Sequence, residues 1–446
     1  MKTRVLIWCL AASLALQAGV AVLARGLPLW ADEAEYVAVA RTFAATGELV
    51  SPSGKFYVHM HPPLYPIFVG LAWAAGGSLN AVRVLNVVLN LLTLALCYLG
   101  ARRVWGVRAA GAAAVAAACY VPAAFYAWSV LSEVPFAFLL AGGVFLFARG
   151  WEGWPSRRGE LVAAGAVIGA GALVRAVAFP AGLVLAGAFV VSGRLPFIRR
   201  AARTAAFALP FLAPVAAWSV YVWFHTGHFV LVDAGGGTVL YLGNNPRTPY
   251  NHSWDVFGDD VAVTPQTLAS RAGVDVFRVD AEYRARALRY MWEHPFPTVA
   301  RVACRVVDLC EPDRLFGGMF LRGYFKGVPS VLAAAAVGAE MLTGVAGLFL
   351  VVAGLILAPP GRWRDAMRLV LVAVVGVHAL TVTAPRYLVP VVMAEMGAAG
   401  YALAVGLPEL VRGRRRRGQV VAVAFALALA AFACGRALVL YYEQGR

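Results

Sequence analysis

Apolar runs alternate with short polar connections along nearly the whole chain, at 5–24, 82–100, 109–127, 131–148, 161–175, 177–192, 204–224, 332–357, 367–382, 388–406 and 419–440. A helix needs about 20 apolar residues to cross the hydrocarbon core of a bilayer. The pattern therefore predicts an all-α polytopic membrane protein with about 11 transmembrane helices, organised as a single membrane domain over 1–446. Residues 82–224 would hold helices 2–7, and 332–440 would hold helices 8–11.

Two long stretches break the pattern, 25–81 and 225–331. The first predicts a helix over 32–46 stopped by Gly47, then an extended segment punctuated by prolines through "SPSGKFYVHMHPPLYP". In the second, Leu288, Met291 and Trp292 share one helical face while Arg284, Arg286 and Arg289 take others. Such a helix either lies in a membrane interface or packs on the rest of the protein. The first apolar run resembles a signal peptide, with Lys2 and Arg4 ahead of it; the many later runs favour an uncleaved first helix.

Composition agrees: 61% of residues are hydrophobic, 14% are charged, and the mean hydropathy is +0.72. The net charge of +16 would suit a nucleic-acid binder, but its placement argues otherwise. About half of the 39 basic residues fall near the amino terminus or in short connections around Arg102, Arg149, Arg199, Arg364 and the run Arg414–Arg417. Short cationic connections mark the cytoplasmic side of membrane proteins. With the amino terminus inside, every one of these connections is cytoplasmic, and both long polar stretches emerge outside. Of the six cysteines, Cys9, Cys97, Cys119 and Cys434 sit in apolar runs as small hydrophobes, while Cys304 and Cys310 in the large loop are the one candidate disulfide.

The candidate chemistry lies in the outer stretches. Asp32, Glu33 and Glu35 open the helix of the first loop. Asp-x-x-Glu reads as a capping box, with Asp32 accepting from the Glu35 amide, or as a general base held at the membrane surface. His59 and His61 face the same way in an extended segment and could ligate a metal or bind phosphate. His225 and His228 are a second such pair. Glu133 lies at a short outer turn. Lys55, Arg175 and Arg386 sit where a lipid phosphate would pass, as snorkelling anchors or as phosphate ligands. His378, Glu340 and Glu395 are intramembrane ionisable groups, functional candidates by default. Asn244 and Asn245, in "YLGNNPRTPYNHSWD", lie in a turn-rich stretch of the kind a sugar-binding surface uses. The Asn251 sequon is discounted. No phosphate-binding glycine loop or dinucleotide fingerprint occurs.

Taken in order, "ADEAEY", "HPPLYPIFVGLAW", "VRVLNVVLNLLTLALCYLGARRVWG", "LSEVPFAFLLA", "GNNP" and "PRYLVPVV" resemble GT-C polytopic glycosyltransferases. The resemblance is to bacterial members of the dolichyl-phosphate-mannose protein mannosyltransferase superfamily, including aminoarabinose transferases, and is strongest over 28–180. It implies a GT-C-like fold and an inverting transfer on the outer face from a polyprenyl-phosphate sugar donor to a lipid, glycan or protein acceptor. Asp32, with Glu33 beside it, matches the family's catalytic acid, and Glu133 matches the acid of its second outer loop. Arg386, Arg175 and Lys55 are the counterparts of its phosphate-binding cations. No cofactor follows from the residues; His59, His61 and Glu133 are the candidates for a divalent metal, whose part is left open. A secondary transporter or flippase of the cell envelope is the main rival, and a scaffold without catalysis the third reading. Against the transporter stand the size of the outer stretches and the lack of internal repeats.

Overall fold

The computed structural model describes residues 2–30, 32–50, 61–191, 196–251 and 275–444. The predicted residues Lys55 and His59 lie outside that set. Among the described residues the regular elements are all helices, with no β-strand.

In chain order the helices are α1 (Lys2–Ala24), α2 (Asp32–Thr46), α3 (Leu64–Gly76), α4 (Leu79–Ala118), α5 (Val121–Trp128), α6 (Glu133–Glu152), α7 (Arg158–Val174), α8 (Ala178–Val190) and α9 (Phe197–Thr226). The large loop contributes α10 (Gly236–Gly243), α11 (Val276–Glu293), α12 (Pro295–Leu309) and α13 (Leu315–Leu321). Then follow α14 (Ser330–Leu357), α15 (Arg362–Leu380), a broken helical segment from Pro385 to Val411, and α16 (Arg417–Gln444).

All eleven apolar runs are largely helical, but the count of about 11 full spans is not reached. Among the described residues six helices are long and apolar enough to cross a membrane: α1, α4, α6, α9, α14 and α16. The broken segment, bent by 68° between Pro385–Ala394 and Met396–Val411, would be a seventh. The difference has local causes. The runs at 82–100 and 109–127 share α4, whose 40 residues are interrupted at Gly106 (φ 85°), a conformation open to glycine. The runs at 161–175 and 177–192 form α7 and α8, of 17 and 13 residues, short because the chain turns at Arg175.

The connectivity sorts the polar groups to two ends. Helix α6 has 20 residues, so its ends lie about 30 Å apart. Glu133 is at one end; Arg149 and Glu152 are at the other. Around the latter the Arg-rich connections meet: Arg149 pairs with Glu160 at 2.7 Å, Arg362 lies 4.5 Å over the Trp151 ring, and Trp105 touches both Trp363 and Tyr401. The amino-terminal turn of α2 and the short links α5–α6, α7–α8 and α15–Pro385 gather at the first end.

In an apolar surround, helices hold together by close backbone approach rather than by expulsion of water. The α7–α9 seam shows this. A Cβ added at Gly165 would stand 2.2 Å from the Phe207 carbonyl oxygen, and one at Gly169 would stand 2.4 Å from that of Phe211. The glycines and the carbonyls are both four residues apart, one helical turn, so two helices touch backbone to backbone along one face.

The helix α11 is amphipathic as expected. Its buried face is Asp280 and Ala287 against α10, whose Thr238 amide donates to Asp280 at 2.9 Å. Leu288 is 54% exposed and Trp292 88% exposed, so the apolar face is not packed on the protein. The Cys304–Cys310 disulfide does not form; all six cysteines are unpaired.

Substituting Gly165→Ala should lower the melting temperature in detergent by an amount corresponding to about 1–3 kcal/mol of overpacking. Gly187→Ala in α8, where a Cβ meets nothing within 4 Å, is the neutral control. Equal melting temperatures for the two variants would refute the tight seam.

Candidate functional site

The first end of the bundle encloses a cavity of about 760 Å³. Its polar lining draws on separate parts of the chain, among them Asp32 and Tyr36 of α2, His61 before α3, Ser132 between α5 and α6, Arg175 between α7 and α8, Asp233 ahead of α10, Asp308, Asp313 and Arg314 around the end of α12, and Arg386 with Tyr387 after α15.

Asp32 and Arg386 form its central pair, with Arg386 Nη2 2.8 Å from Asp32 Oδ2 and both side chains 18% exposed. Pro385 starts a single 3₁₀ turn over Pro385–Leu388, which delivers Arg386 and Tyr387 into the cavity. Burial works against the ionised form of Asp32. Arg386 and then His61 outweigh it, and the carboxyl stays below the usual aspartate range.

A second pair supports the first. Arg175 Nη1 lies 2.9 Å from Glu133 Oε1 and donates to Ser132 Oγ at 3.1 Å. Glu133 is 1% exposed and sits behind Arg175 rather than on the cavity wall. The two guanidiniums share one aromatic neighbour: Arg175 and Arg386 lie 5.7 and 5.5 Å from the centre of the Tyr387 ring. His378 stacks on that ring at 4.4 Å. On the opposite wall the Tyr36 hydroxyl meets His61 Nδ1 at 3.2 Å, and His61 Nε2 lies 3.8 Å from Glu35.

The three acids that open α2 thus separate. Asp32 faces the cavity, Glu35 faces His61, and Glu33 turns inward. Glu33 accepts from the Trp30 amide at 2.8 Å and the Val130 amide at 2.7 Å, and does not line the cavity. The reach back to an amide three residues earlier, expected of Glu35 toward Asp32, is made by Glu33 toward Trp30, while Asp32 turns to Arg386. Burial lifts Glu33 above the ordinary glutamate range despite its two amide donors.

Other expected site residues lie elsewhere. Asn244 donates to Leu240 and Leu380 carbonyls, and Asn245 donates to the Tyr241 carbonyl while accepting from the Arg247 amide. Neither reaches the cavity. Asn244 and Arg305, the latter on the carbonyls of Gly243 and Ala379, brace the end of α10 against α15, while Asn245 closes its own turn and offers its carbonyl to Arg301. His225 bonds to the Tyr221 carbonyl and His228 stacks on Phe277, so they form no joint site. Glu340 and Glu395 are buried away from the cavity lining. Among the described residues no cluster of three or more His, Cys, Asp or Glu side chains is arranged to hold a metal ion, and Glu133 is taken by Arg175.

Sequence reasoning missed the third acidic wall. Asp313 accepts from the Tyr126 hydroxyl and from the Leu315 amide at 3.2 Å, and burial raises its pKa above the ordinary range. Asp308 accepts from Thr383 at 3.3 Å and pairs with Arg436 of α16, which also holds Glu311 at 2.6 Å. The signal lay in "VVDLCEPDRLF": three acids within six residues, two of them bracketing Cys310 in an otherwise apolar stretch.

This is the architecture of a GT-C polytopic membrane protein: an all-helical bundle with a charged cavity at one end, formed by helix ends and long loops. Residues 60–218 match the sequence model of the family described as dolichyl-phosphate-mannose-protein mannosyltransferase. It is similar over its whole length to an Archaeoglobus fulgidus oligosaccharyltransferase carrying a tethered acceptor peptide, at 17% identity and a TM-score of 0.50, covering 55% of that chain. A second structure of that enzyme, with Zn and sulfate, matches at 16% identity and a TM-score of 0.50, covering 99% of this chain and 53% of that one. ArnT from Cupriavidus metallidurans bound to undecaprenyl phosphate is more distant, at 17% identity and a TM-score of 0.39, with 90% of this chain and 78% of that one covered. The chain thus spans about half the length of the oligosaccharyltransferase it matches. No curated protein sequence matches it.

Glu33→Gln puts an amide N–H against a backbone N–H and should cost about 1–3 kcal/mol of stability. A melting temperature unchanged from wild type would show that Glu33 does not hold the start of α2.

Proposed function

We propose that the protein is an inverting glycosyltransferase that moves a sugar from a polyprenyl-phosphate-linked donor to a hydroxyl-bearing lipid, glycan or protein acceptor. One observation carries the reading: the cavity joins the carboxylate of Asp32 to two guanidiniums, Arg386 and Arg175, drawn from distant parts of the chain. The description of the matched family names a sugar linked to a lipid phosphate, which suits such a cavity.

A sugar phosphodiester needs two things to transfer its sugar. The attacking hydroxyl must lose a proton, and the departing phosphate must be held as its charge grows. Asp32 takes the proton as the acceptor oxygen bonds to the anomeric carbon. The bond from that carbon to the phosphate oxygen breaks on the opposite face, and its electron pair stays on the phosphate. Arg386 and Arg175 receive that charge; Arg suits it because its planar fork makes paired, charge-assisted hydrogen bonds. Glu133, buried beneath Arg175, acts as a positioning residue.

The pairing of Asp32 with Arg386 makes the base depend on the donor. While Arg386 holds Asp32, the carboxylate is a poor base. A phosphate drawing Arg386 toward itself relieves that hold, and its own negative charge raises the proton affinity of Asp32 further.

The positive-inside rule sets the orientation. The Arg-rich end faces the cytoplasm, and the cavity opens on the outer side of the cell membrane.

Asp32→Asn should lower sugar transfer by about 10²–10⁴ in membranes supplied with a lipid-linked donor, with melting behaviour close to wild type. Near-normal transfer would refute the base assignment. In the wild type, the acidic limb of kcat should lie at higher pH than that of kcat/KM for the donor, because the free enzyme carries the Arg386-lowered Asp32 and the complex does not. Coincident limbs would show that Arg386 stays on Asp32 throughout.

A further inference from the structure

A second cleft, of about 650 Å³, opens beside α1, apart from the residues that line the Asp32 cavity. Arg25 just after α1, Asn80 and Arg83 in the first turns of α4, and Trp128 at the end of α5 supply its polar lining.

These groups present donors and positive charge. Arg83 is fixed in place: its Nε donates to the Trp128 carbonyl at 2.9 Å, its Nη1 donates to Asn80 Oδ1 at 3.1 Å, and its guanidinium lies 4.4 Å over the Trp128 ring. The one side-chain acceptor on this wall, Asn80 Oδ1, is thereby engaged. Arg83 Nη2 has no acceptor among the described residues, and no described carboxylate comes within the 4.0 Å of an ion pair to Arg25 or Arg83. The nearby acid is Glu33, whose two oxygens already accept backbone amides.

A snorkelling arginine is a loose side chain reaching for water. Arg83 is oriented by two hydrogen bonds and a ring, with part of its fork left over. Beside it Val22, Val84 and Leu85 are 67, 61 and 40% exposed, an apolar flank on helices long enough to cross a membrane. Cationic donors above a hydrocarbon-compatible flank fit a phosphate that carries acyl chains.

We propose that this cleft binds the phosphate of an anionic lipid headgroup, with Arg83 as the oriented ligand and Arg25 as the second cation. The site is independent of the sugar-transfer reading. It has a physical connection to the cavity all the same, through the 128–130 turn. Arg83 holds the Trp128 carbonyl, Asn86 holds the Ser129 carbonyl at 3.0 Å, and the Val130 amide donates to Glu33, the neighbour of Asp32.

The full chain, reconstituted in nanodiscs of phosphatidylcholine with or without phosphatidylglycerol, provides the test. Native mass spectrometry would count retained phosphatidylglycerol, and thermal unfolding would report its stabilisation. The wild type should retain phosphatidylglycerol and melt higher in its presence. Arg25→Gln should weaken that retention about fivefold, the worth of one basic side chain at a lipid surface, and Arg25→Gln with Arg83→Gln should weaken it further. Because Arg83 also braces the Trp128 turn, the single Arg25→Gln variant decides the matter if the double variant unfolds. Phosphatidylglycerol retention and melting shift equal to wild type in Arg25→Gln would overturn the site. Inorganic phosphate added to phosphatidylcholine discs is the second arm. If it stabilises the wild type as much as phosphatidylglycerol does, and through Arg25, the assignment to a lipid is overturned in favour of a soluble anion.

Discussion

An ion taken out of water must be met by another charge or by hydrogen bonds, and that requirement organises this molecule. Asp32 and Arg386, 354 positions apart, meet at 2.8 Å. Glu133 meets Arg175, and Asp308 with Glu311 meets Arg436. Each pair ties a helix end to a distant part of the chain. Removing Arg175 from beside Glu133, whose side chain is 1% exposed, leaves a buried charge uncompensated, at about 3–5 kcal/mol, whereas Asp32 and Arg386, each 18% exposed, keep water as a further partner. The pairs therefore contribute less to net stability than to register: they dictate which parts of the chain come together, and with them the shape of the cavity.

Tyr387 shows how an apolar group serves the same end. Its ring lies against both Arg175 and Arg386 and against His378. Guanidiniums favour aromatic rings, and a ring that neighbours both helps to hold each in place. On the proposed mechanism, that shared neighbour keeps both cations where one phosphate can engage them.

Much of this could be read from the sequence, and the gaps have physical reasons. The apolar runs and the arginine placement gave the helical membrane class and sorted the Arg-rich connections to one end. Asp32, His61, Arg175 and Arg386 were each visible as charged or imidazole groups at the margins of apolar runs, and the structure brings these four to one cavity wall or another. Periodicity says nothing about which of three adjacent acids turns inward, so Glu33 was grouped with Asp32 although it serves two backbone amides. Polar, turn-rich "GNNP" has the composition of a binding surface. Only the contacts with Arg301 and Arg305 reveal it as a brace, and those arginines lie four residues apart on one face of a helix some 56 positions later. The span count failed where length alone was used: Gly106 folds two runs into one interrupted helix, and the turn at Arg175 leaves two helices too short to count by that criterion.

The backbone contact between α7 and α9 bears on how a long isoprenoid could approach the cavity. Where carbonyl oxygens meet glycines, there is no layer of side chains to part, and a methylene chain cannot slip between the two helices without prising them asunder. That flank of the bundle is closed to lateral entry. On the proposed function, the donor's hydrocarbon tail comes alongside other helices, where side chains rather than main chains form the boundary and can rotate out of its way.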